Sequence, residues 1–200
     1  MKTTLLILSL MLLQSCSKSD DTFTPTLPPI TQIGANIFGV YIDGKLLTPR
    51  DGTGTFNSPD RGMRMIAGGI PPAITYNELK IRDFKSGNGG LLTLHIQDLH
   101  QNGEGVYTIN ESNCEDNVDS ITNINVFCRW WDETLQTYKW YCSIENAGIL
   151  TISRYDYDNG IISGTFSCTV QNKDDPNDII EITQGRFDIN GFTLINTSFP

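Results

Sequence analysis

The sequence predicts an all-β fold, an antiparallel β-sandwich or flattened meander barrel of about ten short strands. Three features predict it. Apolar and polar residues alternate at period two through most of residues 32–200. Clusters of Gly, Asn and Asp recur between these runs at the spacing of turns. No segment carries the 3.6-residue periodicity of an amphipathic helix. Short strands joined by local turns bury their apolar faces by pairing as neighbours, in a sandwich or a barrel.

The elements follow in order. Asn36–Ile42 reads as a strand, Asp43-Gly44 as a two-residue hairpin turn and Lys45–Thr48 as the return, since such turns need positive φ. Residues 51–62, rich in Gly, Asp, Ser and Pro, read as a loop. Met63–Gly69 and Glu78–Phe84 are further strands. In the next, Leu92, Leu94 and Ile96 alternate with Thr93, His95 and Gln97, which predicts a half-buried strand with His95 on its polar face. Gly105–Ile109 follows, then a polar loop to about Ser120. Strands near 122–131, 137–144, 149–157, 161–170 and 179–189 form a closing meander, with Asp158-Asn159-Gly160 as one of its turns. In the last strand Ile180 and Ile182 share one parity and Phe187 and Ile189 the other. A one-residue phase shift must lie between them, and Gly185 is the expected bulge.

Two hundred residues allow one domain with a tail. The tail is the N-terminus. Lys2 precedes the apolar run Leu5–Leu13, too short to span a bilayer but suited to a signal peptide. The run ends in Leu13-Gln14-Ser15-Cys16, which resembles a lipobox: an apolar residue, a small residue beside the cut, and a cysteine whose thiol takes a diacylglycerol. Residues 1–15 are thus expected to be a cleaved lipoprotein signal peptide and Cys16 the acylated residue, held at a membrane by several acyl chains. Cleavage would leave 13 basic against 23 acidic side chains. Lys18, Asp20 and Asp21 resemble the export signal of surface lipoproteins in Bacteroidetes-type bacteria. They predict an outer-membrane, surface-exposed protein. Residues 16–31, with Pro25, Pro28 and Pro29, read as a disordered tether of up to roughly 45 Å, ahead of one domain over 32–200.

Ile-Ser-Gly-Thr-Phe-Ser at 162–167, Asp-Pro-Asn-Asp-Ile-Ile-Glu-Ile-Thr at 175–183 and Gly-Arg-Phe-Asp-Ile at 185–189 resemble the closing strands of an uncharacterised domain family of Bacteroidetes-type lipoproteins. Phe-Gly-Val-Tyr-Ile-Asp-Gly-Lys at 38–45 is similar to that family's first hairpin. The resemblance spans about residues 34–189. It implies an all-β lipoprotein, no established activity and no functional residue.

Beyond Cys16 the chain has Cys114, Cys128, Cys142 and Cys168. Four cysteines in an exported domain suggest two disulfides. A hairpin loop over 132–137 sets positions summing to about 270 opposite each other, which favours Cys128–Cys142 and leaves Cys114–Cys168; buried free thiols are the alternative. The same hairpin holds the densest aromatic region. Its expected alternation sends Trp130 and Trp140 to the core with Cys128 and Cys142, and Trp131 and Tyr141 outward with Arg129 and Lys139. Flat rings beside polar groups suit a sugar, so these four are the expected ligand-binding residues; cross-strand packing is the alternative.

Net charge is −9, and no basic stripe of the kind nucleic-acid binding needs is visible. Two histidines and no Cys-x-x-Cys predict no metal centre and no cofactor. Asp156–Gly160 lacks the spacing of a calcium loop, and Asp174, Asp175 and Asp178 read as a solvated loop. His95 and His100 read as surface residues. No nucleophile elbow or phosphate loop selects a catalytic residue. The expectation is a non-catalytic, ligand-binding lipoprotein whose partner is a glycan or an envelope protein. The competing readings are a structural component of the envelope and, further off, a hydrolase using two carboxylates.

Overall fold

A computed structural model describes residues 23–55, 57–69 and 74–200. The expected signal peptide and Cys16 lie outside them. The strands are β1 (Ile37–Ile42), β2 (Lys45–Leu47), β3 (Met63–Gly68), β4 (Tyr76–Arg82), β5 (Leu91–Gln97), β6 (Gly105–Ile109), β7 (Asn125–Asp132), β8 (Thr137–Asp156), β9 (Ile161–Asn172) and β10 (Ile179–Asn190). One helical turn, Leu99–Asn102, and short 3-10 turns at 117–119 and 194–196 complete them.

All ten strands belong to one antiparallel sheet, in the order β2-β1-β10-β9-β8-β7-β5-β4-β3, with β6 paired to β8. The sheet curls on itself as an open, barrel-like meander. Hairpin neighbours pair directly, and β1 closes against β10. Alternation fills the interior, with a change of parity within β10: Val40 and Ile42, Leu79 and Ile81, Leu92, Leu94 and Ile96, Leu150 and Ile152, Phe166, Ile182, Phe187 and Ile189 are all buried. Asp43 and Gly44 both have positive φ, as the expected β1–β2 hairpin requires.

The phase shift in β10 is present. Ile182 pairs with Cys168 but Gly185 with Phe166, one residue out of step. Gln184, not Gly185, takes the left-handed conformation, at φ 54°. Gly185 is required for a different reason, since a Cβ there would lie 2.5 Å from the Phe166 ring.

The two strands expected near 137–144 and 149–157 are one bent strand, β8. Its register with β9 jumps between Ser143 and Gly148, and Asn146 has φ 54°. Below the bend β8 pairs with β7, above it with β6.

The segment expected as tether to residue 31 lies against the barrel from Phe23 onward. The Arg50 guanidinium sits 5.2 Å from the centre of the Phe23 ring. Pro28 packs where Gly39 has no Cβ. Arg186 donates to the Pro28 carbonyl at 3.3 Å. Thr31 Oγ1 and the amides of Ile33, Gly34 and Ala35 all donate to the carboxylate of Asp188. A segment stiffened by prolines loses little entropy on docking, so few contacts hold it.

The seam between the β1–β2 hairpin and β3 is closed without a ladder. Residue 50 bridges the end of β4 through Arg50 N–H to the Arg82 carbonyl and Phe84 N–H to the Arg50 carbonyl, both at 3.1 Å. Residues 193–199 pack into the same seam. Asn36 donates to Thr193 and Thr197, Phe199 N–H donates to Asp51, and Leu194 and Phe199 are buried.

Candidate functional site

The β7–β8 hairpin decides where the candidate residues point. Asp132 pairs with Thr137, so opposed positions sum to 269. An even-numbered loop always gives an odd sum, so two even-numbered cysteines cannot face each other. Cys128 is opposite Tyr141, and Cys142 is opposite Phe127. One position of register exchanges the two faces. The expected pairs Cys128–Cys142 and Cys114–Cys168 are therefore replaced by a single bond, Cys114–Cys142, with a Cα–Cα distance of 5.5 Å. Cys128 and Cys168 are buried free thiols. Burial pushes both thiols up, Cys168 to about 12, which keeps them protonated and unreactive.

The expected binding set divides in the same way. Tyr141 is buried on the inner face, and its hydroxyl lies 3.1 Å from Asp178. Lys139 bridges Asp132 at 2.6 Å and Asp178 at 2.7 Å. Those two hydrogen-bonded carboxylates hold its ammonium above the ordinary lysine value. Burial alone would raise the pKa of Asp178, but Lys139, Asn172 and Tyr141 together hold it below the usual carboxylate range. Asp178 is thus committed to Lys139, Asn172 and Tyr141. It is not free to join Asp174 and Asp175 around a cation, and no metal-sized group of ligating side chains occurs among the described residues.

Arg129 and Trp131 do point outward, joined by Trp140 and Tyr138 rather than Tyr141 and Lys139. Trp140 is 36% exposed and leans on Phe127, with ring centres 6.1 Å apart. Arg129 stacks over Tyr138 at 4.5 Å and beside Trp140 at 5.9 Å. Trp131 meets Tyr138 edge-on at 5.0 Å. Arg129 makes ring contacts but no hydrogen bond or ion pair to the described residues, and its Nε is buried without a partner. The rings are packed at an angle to one another, with an unpaired guanidinium between Tyr138 and Trp140.

This row leads into a groove. Lys173 N–H donates to the Trp140 carbonyl at 2.9 Å, so β9 continues past Asn172 alongside Trp140. Beyond them the bend in β8 opens a depression of about 520 Å³ between the loop at 111–113 and the loop after β9. Its walls carry Glu111, Asn113, Glu145, Gln171 and Lys173, and the Cys114–Cys142 bond fixes one side. The side chains of Glu111, Glu145 and Lys173 have no partner among the described residues.

A second polar group lies under the same disulfide-held loop. His95, expected at the surface, is buried. Its Nδ1 is 3.1 Å from Glu78 Oε2, and its ring stacks on Tyr76 at 4.9 Å. Asn117 N–H donates to the same carboxylate oxygen at 2.9 Å, and Lys80 lies 3.1 Å from the other. Burial acts to raise the Glu78 pKa, but these donors outweigh it and hold it low. Period-two alternation could not show this, because β5 is buried on both faces once the 110–124 loop crosses it. His100 is at the surface, 2.9 Å from the Tyr155 hydroxyl.

Comparisons with protein-family models, with curated proteins and with solved structures find no match to this chain.

Proposed function

We propose that this chain is an outer-membrane lipoprotein, anchored through Cys16, whose barrel binds a carbohydrate without transforming it. The supporting observation is Arg129. An unpaired guanidinium lies among Phe127, Trp131, Tyr138 and Trp140, on the strand pair that adjoins, through Trp140 and Lys173, a groove carrying the unpaired side chains of Glu111, Glu145 and Lys173. A sugar ring offers the matching chemistry, an apolar C–H face for an indole and hydroxyl oxygens for the guanidinium. Stacking on rings already packed against each other costs little ordering entropy on binding.

Affinity electrophoresis through gels containing soluble polysaccharides tests the reading. Wild-type protein is retarded by at least one of them. Trp140→Ala weakens that binding tenfold or more, about 1.4 kcal/mol, and Arg129→Ala does likewise with unchanged thermal unfolding. Tyr141→Ala does not serve as a control, because it empties a core position. Retardation equal in wild type and Trp140→Ala, or retardation by no polysaccharide, ends the carbohydrate reading.

A further inference from the structure

We infer that the free edge of β3 is a docking site for an extended acidic peptide, added to the sheet as an eleventh strand. β3 pairs with β4 alone and ends the strand order. Arg82 N–H donates to the Gly62 carbonyl at 2.7 Å, which sets the ladder's alternation. Residues 64, 66 and 68 therefore bond β4, while Met63, Met65 and Ala67 direct N–H and C=O groups away from it. No backbone bond among the described residues takes up those of Met65 or Ala67.

The opposite end of the strand order, β2, differs. β2 is three residues long, carries Lys45 at its outer end, and is followed within two residues by Pro49. Those are the devices that block unwanted strand pairing. β3 is twice as long and has no proline or lysine.

A groove of about 680 Å³ runs along β3, with Met65 and Ile66 on one wall and Gly191, Leu194 and Ile195 on the other. Ile195 is 72% exposed. Arg61 and Arg64 flank it. Each donates one bond to a backbone carbonyl, of Thr197 and Pro59 respectively, and neither belongs to an ion pair. The nearest acid in sequence, Asp60, is engaged with the Gly54 amide. Two uncompensated guanidiniums in a chain of net charge −9 select an acidic strand, and that charge opposes a second copy of the chain as occupant. Backbone bonds to the edge would supply affinity, alternate side chains would enter the apolar groove, and the acids between them would meet the arginines.

The test uses the full chain and three capped eight-residue peptides read by fluorescence anisotropy: alternating Glu and Val, alternating Lys and Val, and the Glu-Val peptide N-methylated at every second residue. The Glu-Val peptide binds saturably, while the other two bind at least tenfold more weakly. Ala67→Pro removes an N–H that points away from β4, so the internal ladder stays intact; it weakens the Glu-Val peptide tenfold or more. Arg64→Glu, an exposed substitution, reverses the preference between the charged peptides. No saturable binding of the Glu-Val peptide to wild type overturns the proposal. So does equal binding of the N-methylated peptide, or an unaltered affinity in both variants. Concentration-dependent dimers that Ala67→Pro abolishes would also overturn it, in favour of a second copy at this edge.

Discussion

Asp188 is a fully buried carboxylate that forms no ion pair among the described residues. Burial alone would raise its pKa, yet Thr31 and Ser163 hydroxyls and the amides of Ile33 and Gly34 hold it below the ordinary value. Its charge is spread over five donors, with Ala35 N–H the fifth, so it latches the incoming N-terminal segment to the last strand. Asp188→Asn keeps the shape but turns an NH₂ group toward donors. The expected loss is about 2–4 kcal/mol in urea unfolding at neutral pH. The sign with pH follows from the depressed pKa. The stabilisation is complete above the unfolded value of about 3.9 and is lost as pH falls through the lower folded value. Wild type and Asp188→Asn should therefore converge in stability as the solution is acidified below pH of about 4. A difference that stays constant through that range would show the latch to be steric rather than ionic.

At the level of elements, bulges and bends matter more than strand propensity. Gln184 occupies the left-handed region in the β10 bulge, where a side chain costs about 1–2 kcal/mol. Its carbonyl and amide oxygen receive only long bonds from Arg186, at 3.2 and 3.4 Å. Gln184→Gly should raise stability by up to about 1 kcal/mol in thermal unfolding. The bulge itself was legible, because Ile182 and Phe187 cannot share a face without one. Which residue would take positive φ was not, since Gly185 is reserved for the Phe166 ring. Most strands were legible for the same reason of alternation. The aromatic face was not, because a hairpin's parity turns on the evenness of one loop, and period two is blind to a one-residue slip. Nor does alternation report a loop that crosses a sheet, which is why Glu78 was not singled out and His95 was expected at the surface. That crossing loop depends on Cys114–Cys142, a link across 28 residues of chain. Replacing both cysteines by serine should cost about 3 kcal/mol, or roughly 6–12 °C in melting temperature. It should also speed hydrogen exchange at Asn117, whose amide bonds Glu78. Unchanged exchange at Asn117 would show that the loop holds its place without the disulfide.

For the molecule as a whole, a curled sheet must keep the two ends of its strand order, β2 and β3, from separating. Full closure would pair β2 with β3, but the two stand unpaired at opposite ends of the strand order. Residues 191–200, which follow β10 and therefore start beside β1, instead occupy part of the seam and leave the Met65 and Ala67 backbone groups of β3 unbonded among the described residues. Leu194 and Phe199 enter the core there, and Asp51 bonds the Phe199 amide at 3.0 Å. A plug held by two side chains and a few hydrogen bonds should behave as part of the cooperative core, not as a fraying tail. Phe199→Ala removes a buried ring at the seam and should lower stability by about 3–5 kcal/mol. Ile195→Ala, at an exposed position between the same anchors, should stay within about 0.5 kcal/mol of wild type. Urea unfolding followed by tryptophan fluorescence separates the cases. If the plug is integral, Phe199→Ala shifts the midpoint at an unchanged slope, because the same surface is exposed in one step. A shallower slope or a separate early transition would mean that the seam opens alone, leaving the strands from β4 to β10 to hold the sheet.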